Sequence, residues 1–268
     1  MEFVQITQKS VNPSSRNWVE KFNIIMPMAG KGLRLADAGF EKPKPLIEIR
    51  NKTIMEWAIR SLNVKGNFIF CTKHEHIEKF GIDLKLKNII NDCKIVPISY
   101  DTRGTVDTIL NARDLIDNDE ELLITDADHY VEWDAQFFNE NIRKRDIDGC
   151  TMVFPEPQNN EAYSFVKLDN DGFVIQSAEK ISISSIATVG IHYFKRGSDF
   201  VKFADEMIKR KISIKNEYYV TPIFNLFAEN NKKIVTMPVK QMWPLGNPNE
   251  IHQFKKDFLN LKTSNEDP

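Results

Sequence analysis

The run Gly30-Lys31-Gly32-Leu33-Arg34 sets two glycines and two cations directly behind a short apolar segment, and a further lysine, Lys44, stands between Pro43 and Pro45. Glycines carry no Cβ, so backbone N–H groups there can approach an anion closely. Lys31, Arg34 and Lys44 supply compensating positive charge, and a triphosphate is the ligand that suits this pattern. The two prolines fix the backbone around Lys44 and lower the entropy lost when its side chain is held against a ligand. Taken alone, the glycines also fit a tight strand-to-helix turn with solvated lysines. Two familiar anion loops do not fit. A Walker A loop needs Gly-Lys followed by Ser or Thr, whereas Gly32 follows Lys31. A dinucleotide fingerprint needs a small residue where Leu35 stands and an acid after the second strand, yet Asn67 to Cys71 runs into Thr72 and Lys73.

Asp126-Ala127-Asp128 follows the apolar run Leu122 to Thr125. Alternate residues of an extended segment point to one side, so both carboxylates can face one cation. Magnesium suits such a pair, because it takes one or two carboxylates together with waters and phosphate oxygens. By itself a D-x-D pair also reads as a solvated turn. His129, next to Asp128, is placed to bond a ligand or substrate. Thr102-Arg103-Gly104-Thr105 follows an apolar strand and opens a helix, which offers free N–H groups; an ordinary Thr N-cap is the plainer reading. Glu179-Lys180 reads on its own as a surface charge pair. His74 and His76 straddle Glu75 at a helix start and read as a solvated helix end, since no second cluster is placed to complete a coordination shell. His192 and His252 read as structural.

The elements that must position these groups follow from hydrophobic periodicity. Apolar strands are expected at Phe22 to Pro27, Asn67 to Cys71, Lys94 to Ser99, Leu122 to Thr125, Cys150 to Phe154, Phe165 to Leu168 and Thr188 to Phe194. They alternate with helical stretches at Ile54 to Leu62, Val106 to Leu115 and Phe200 to Lys209. Asn170-Asp171-Gly172 is a hairpin-closing turn. The alternation predicts one α/β domain, a Rossmann-like doubly wound sheet that is parallel at first and mixed later. In such sheets ligands bind beyond the carboxyl ends of the strands, which selects Ala29 to Arg34, Thr102 to Thr105 and Asp126 to His129. The domain is expected over 21–261, preceded by an extension over 1–20, in which Trp18 is available to order part of the segment, and followed by a polar tail over 262–268.

With 268 residues and 41% hydrophobic content the chain can pack a sizeable core. Its 36 basic and 38 acidic residues leave a formal net charge of −2, so no overall field favours nucleic acid or an anionic membrane, and any anion site must be local. No apolar run approaches the length of a membrane span, and Met1 to Glu20 is too polar for a signal peptide, so a cytoplasmic location is expected. Cys71, Cys93 and Cys150 are widely spaced and lie in or beside apolar segments, as reduced core thiols do. A homo-oligomer is compatible with this composition.

FNIIMPMAGKGLRLADAGFEKPKPLIEI resembles the opening of the sugar-phosphate nucleotidyltransferase family: a strand, Gly-x-Gly-Ser/Thr-Arg, then Pro-Lys-Pro. More narrowly it is similar to the branch that serves bacterial surface-polysaccharide and phosphoramidate pathways, phosphoglutamine cytidylyltransferases among them. The likeness continues through LLITDADHYVEWD, YSFVKLDNDGFV, AEK, ATVGIHYF and MWPLGNPNE, from Asn23 to about Phe254. The resemblance implies a nucleotide-diphospho-sugar transferase type of fold and transfer of a nucleotidyl group from a nucleoside triphosphate to a phosphorylated small-molecule acceptor. Arg34, Lys44 and Asp128 would be catalytic, with Asp128 a magnesium ligand and Asp126 its partner. Met28, Ala29, Gly30, Gly32, Arg34, Gly104 and Thr105 would bind the nucleotide. Lys180 would hold the acceptor phosphate and Glu179 a hydroxyl of a sugar acceptor, with Tyr163 and the strand Ala187 to Tyr193 lining that side. The branch points to CTP as the donor. Two positions depart from the pattern. Leu33 stands where a Ser or Thr precedes the arginine, and Pro244 where a second metal aspartate is usual; either Asp126 substitutes for it or Asp128 suffices. The alternatives are a glycosyltransferase of the related fold, in which D-x-D binds the metal of a nucleotide-sugar donor, and a non-catalytic nucleotide-binding regulator.

Overall fold

The computed structural model describes residues 22–259 apart from 145 and 159; the expected extension over 1–20, Trp18 included, and the tail over 262–268 lie outside the described residues. Strand β1 (Phe22–Met28) leads through the four-residue helix α1 (Leu33–Ala36) and a 3-10 turn (Lys44–Leu46) to the short hairpin β2 (Glu48–Ile49) and β3 (Lys52–Thr53). There follow α2 (Ile54–Leu62), β4 (Gly66–Lys73), α3 (His74–Phe80), α4 (Ile82–Ile89), β5 (Cys93–Ile98), α5 (Thr105–Leu110), α6 (Arg113–Ile116), β6 (Leu122–Thr125), β7 (His129–Glu132) and α7 (Ala135–Lys144). The second half comprises β8 (Gly149–Pro155), β9 (Ser164–Leu168), β10 (Val174–Glu179), β11 (Ile186–Phe194), α8 (Gly197–Lys209), α9 (Ile223–Glu229), β12 (Ile234–Pro238), β13 (Gln241–Pro244) and α10 (Pro248–Phe254), which continues into a π-helical turn, Lys255–Leu259.

The nine-stranded sheet runs β10-β9-β11-β6-β1-β4-β5, with β8 paired to β11 and β12 to β8. β1 is parallel to both β4 and β6, and β4 to β5, whereas β11 is antiparallel to β6, β8 and β9. The sheet is therefore mixed, as the alternation of elements predicts. The central strands are apolar over most of their length because both faces are covered. Ile24, Met26, Phe68, Phe70 and Leu123 enter one core, and Ile25, Ile69, Cys71 and Ile124 the other. Asp169 to Phe173 closes the β9–β10 hairpin, with Gly172 at φ +84 and Phe173 N–H bonded to Asp169 Oδ1.

One expected helix differs. The stretch Val106 to Leu115 is broken into α5 and α6, because the Asn111 amide bonds the Asp107 carbonyl at 2.8 Å and the Ala112 N–H turns to Ile109, an i−3 contact that ends the α-ladder. α2 begins where Thr53 accepts from the Glu56 N–H. On its buried face Trp57 donates from Nε1 to Ile49 O at 3.1 Å and lies 5.4–6.2 Å from the rings of Tyr130, Phe254 and Phe258. This third core, which also holds Leu35, Ile47 and Leu245, fixes the loops around Lys44 to the segment beyond β13. Trp57→Ala should cost about 3–5 kcal/mol, the usual range for emptying a buried Trp site, and denaturant unfolding would show it as a lowered midpoint.

Candidate active site

The segments that follow β1, β5 and β6 share one cavity of about 450 Å³. Every candidate residue lines it: Met28, Ala29, Gly30, Gly32, Arg34 and Lys44 from the first loops, Gly104 and Thr105 from the start of α5, Asp126 and Asp128 after β6, and Tyr163, Glu179 and Lys180 from the antiparallel half. Lys31 is different. Its ammonium lies 3.0 Å from Asp101, which also accepts from Lys73 at 2.9 Å, so its charge is spent tying two loops together.

Lys44 opens the 3-10 turn, in which Leu46 N–H bonds Pro43 O at 2.8 Å and Pro45 and Leu46 are buried. The anchored turn aims the Lys44 ammonium at the Asp128 carboxylate, to which it donates. Gly32, at φ +62, packs so closely that a Cβ there would stand 3.2 Å from Lys44 Cβ. Beyond the pair lies Gly246, where an added Cβ would be 3.3 Å from both Asp128 Oδ2 and Glu250 Oε2. Glu250 accepts from the Gly246 N–H at 2.7 Å, and Asn247 caps α10 by accepting from the Glu250 N–H.

Asp126 is placed by strand β11, which bulges between Thr188 and His192. Within the bulge Gly190 sits at φ +75, its carbonyl accepts from Asp126 N–H at 3.0 Å, and the Asp126 carboxylate fills the space a Cβ would need. His129 Nδ1 lies 3.0 Å from Val189 O. A carbonyl only accepts, so Nδ1 donates there, and Nε2 is turned toward Asp128, 3.9 Å from its Oδ1. Asp126, Asp128 and His129 each offer one ligand atom within 4.8 Å of the others, a donor set that fits a divalent cation. Burial raises the Asp126 carboxyl, His129 opposes the rise and the Asp128 charge adds to it; the Asp126 side chain remains 37% exposed, so solvent moderates the shift. Burial would raise Asp128 too, but the Lys44 ammonium and His129 overcome it and hold that carboxyl well below the usual range.

On the other side, the reading of Glu179-Lys180 as a surface pair is corrected. Glu179 is buried at the end of β10 and accepts from the Ser164 hydroxyl. Lys180 adopts φ +56, bonds its N–H to Tyr163 O, and donates its ammonium to Tyr219 Oη at 2.6 Å; Tyr219 in turn donates to Glu217. The plainer Thr N-cap is also corrected, since Gly104 at φ +98 occupies the cap position of α5. His76 is buried, and burial lowers its pKa, whereas His74 stays exposed beside Glu78. His192 is buried, bonded to Thr151 and held neutral with its pKa lowered to about 3, yet it also lines the cavity. His252 is exposed on α10.

Residues 23–260 match the family model described as nucleotidyl transferase. The chain belongs to that family. The bifunctional protein GlmU of Methanocaldococcus jannaschii is 26% identical over 245 residues, 88% of this chain and 54% of that protein. A bifunctional sugar-1-phosphate nucleotidylyltransferase/acetyltransferase of Sulfurisphaera tokodaii is 27% identical over 234 residues, 85% of this chain and 53% of that protein. The chain thus spans about half the length of the curated relatives it matches. Among solved structures, a nucleoside-diphosphate-sugar pyrophosphorylase from Vibrio cholerae RC9 has a TM-score of 0.74 at 22% identity, over 87% of this chain and 100% of that one. A UDP-glucose pyrophosphorylase complexed with UDP-glucose gives 0.73 at 17% identity, over 90% and 100%. These two likenesses establish the fold. In this nucleotidyl transferase Pro244 lines the cavity opposite His129 in the β13–β7 pair and brings no side-chain ligand atom. Gly190, Gly246, Tyr219 and Glu250 were not singled out from sequence; of these only Gly190, an isolated glycine inside an apolar strand, carries a signal, that of a bulge.

A cation entering between Asp126 and Asp128 must displace whatever proton Asp126 holds. Affinity for Mn²⁺, measured by titration, should therefore rise from pH 6 to pH 8, by up to about tenfold per pH unit while Asp126 is protonated, and Asp126→Asn should flatten the profile. A flat profile in the unmodified protein would contradict this placement. Gly190→Ala should weaken the same binding by displacing the Asp126 carboxylate.

Proposed function

We propose that this chain transfers a nucleoside monophosphate from a nucleoside triphosphate to a phosphorylated small molecule or sugar phosphate, with release of pyrophosphate. The observation that carries this reading is the single cavity holding Lys44, Arg34, the Asp126–Asp128 pair and Lys180, and family membership supports it. An acceptor phosphate oxygen forms a bond to the α-phosphorus, and the bond from that phosphorus to the α–β bridging oxygen breaks, its electron pair leaving on pyrophosphate. The nucleophile is already an anion, so no side chain has to take its proton. Catalysis can then rest on alignment and charge stabilisation.

In this account Lys180 positions the acceptor phosphate, steadied by Tyr219, and Glu179 takes a hydroxyl when the acceptor is a sugar. Arg34 and Lys44 stabilise the triphosphate and the departing pyrophosphate. Met28, the backbone of Ala29 and Gly30, and Gly104 with Thr105 bound the nucleoside. Asp128, joined by Asp126 in place of the residue lost at Pro244, would hold magnesium, which when bound neutralises charge on the phosphates. CTP as donor and a surface-polysaccharide precursor as product complete the proposal, on the strength of the branch that the sequence resembles. A glycosyltransferase using a nucleotide sugar would account for Asp126 and Asp128 but would leave Lys44 and Arg34 with no triphosphate to meet.

Pyrophosphate release, assayed with each of the four NTPs against a panel of phosphorylated acceptors, should require both substrates and a divalent cation. Lys44→Ala and Arg34→Ala should each lower kcat/KM on the order of 100-fold or more with the fold intact by circular dichroism. Hydrolysis of a nucleotide sugar without pyrophosphate release would favour the glycosyltransferase, and nucleotide binding without turnover on any acceptor would point to a regulator.

A further inference from the structure

The wall over 102–108 carries a hydrogen-bond polarity with consequences for the nucleobase. Thr108 is buried in α5, and its hydroxyl oxygen lies 3.1 Å from Gly104 O and 2.7 Å from Thr102 Oγ1. A carbonyl oxygen only accepts. The single proton of Thr108 is therefore committed to Gly104, and the contact with Thr102 can exist alongside it only if Thr102 donates. Both hydroxyl protons are then spent within the wall.

The surrounding backbone holds this arrangement in place. Tyr218 N–H bonds Arg103 O at 2.8 Å, Val106 N–H bonds Tyr218 O at 2.9 Å, and Arg103 N–H bonds the Asp107 carboxylate at 2.8 Å. Gly104 itself, at φ +98, lies so close to Tyr218 that an added Cβ would stand 2.6 Å from its backbone nitrogen. Thr102 and Thr108 both line the cavity. What Thr102 brings to that cavity is an oxygen with lone pairs and no available proton.

We propose that Thr102 is a specificity-determining residue that accepts a hydrogen bond from an exocyclic amino group of the donor nucleobase. A base with an amino group on that edge, cytosine or adenine, is favoured over its keto counterpart, uracil or hypoxanthine. This rests on the reading that the nucleobase lies against Gly104 and Thr105. A keto oxygen in the same place would face the Thr102 oxygen with no proton between them, leaving two acceptors opposed and unsatisfied. Sites built to pair a polar group discriminate strongly against the analogue that cannot pair, and one such contact gives on the order of tenfold or more.

Calorimetric binding of CTP, UTP, ATP and ITP to the full chain with magnesium, in the absence of any acceptor, tests the proposal. CTP should bind on the order of tenfold or more tighter than UTP if the site takes pyrimidines, and ATP tighter than ITP by a similar factor if it takes purines. Thr102→Val should abolish the preference by weakening the amino nucleotide. Thr108→Val should free the Thr102 proton, so that the keto nucleotide gains affinity, while Thr108→Ser keeps the relay and should behave as the unmodified protein. Equal affinity within both pairs, a preference that survives Thr102→Val, or equal relaxation by Thr108→Ser and Thr108→Val would each overturn the inference while leaving nucleotidyl transfer intact. Failure of all four nucleotides to bind would overturn both.

Discussion

The Lys44–Asp128 ion pair is the constraint around which the cavity is organised. Asp126, Asp128, Glu179 and Glu250 all line the same space, and carboxylates collected in a partly buried cavity repel one another and resist ionisation. Lys44 relieves that strain at Asp128 and keeps it charged. Its placement depends on features far apart in sequence: two prolines that set the 3-10 turn, Gly32 pressed against its stem, and Gly246 leaving room on the far side. In the proposed reaction a metal ion would displace the ammonium that balances Asp128, leaving Lys44 to meet the phosphates that accompany that ion.

The sheet divides the labour around this pair. Its parallel half presents the ends of β1, β5 and β6, where loops are free to wrap a nucleotide, and β11 turns the sheet antiparallel next to β6. The bulge in β11 brings Gly190 and Val189 to Asp126 and His129, so one irregular strand sets the position of one carboxylate and the orientation of the imidazole. The antiparallel strands beyond it carry Glu179 and Lys180, with Tyr219 and Glu217 steadying the lysine. Substrates meeting across β6 would be held by different halves of one rigid sheet, which suits a reaction driven by alignment.

Much of this was legible in the residues. The βαβ opening is written in apolar runs that end at glycines and prolines, and these are local signals. Ala29 to Arg34, Thr102 to Thr105 and Asp126 to His129 could be named because residues just beyond parallel strands converge on one edge, whereas Tyr163, Glu179 and Lys180 followed only from the family resemblance. What could not be read depends on tertiary partners. Glu179-Lys180 looks like any solvated charge pair until β9 and Tyr219 cover it. Lys31 looks equivalent to Arg34 until Asp101, seventy residues on, claims it. The break at Asn111 depends on a side chain competing with the helix ladder, a contest that hydrophobic periodicity does not register. The hydroxyl relay at Thr102 is a matter of proton direction, visible only once three oxygens have positions.

Paramagnetic titration with Mn²⁺ in the absence of nucleotide tests the central claim most directly. If Lys44 and a metal ion compete for Asp128, Lys44→Ala should bind Mn²⁺ more tightly than the unmodified protein while binding nucleoside triphosphate more weakly, and Asp128→Asn should lose the metal site. Unchanged or weaker Mn²⁺ binding in Lys44→Ala, with the fold intact, would contradict the account.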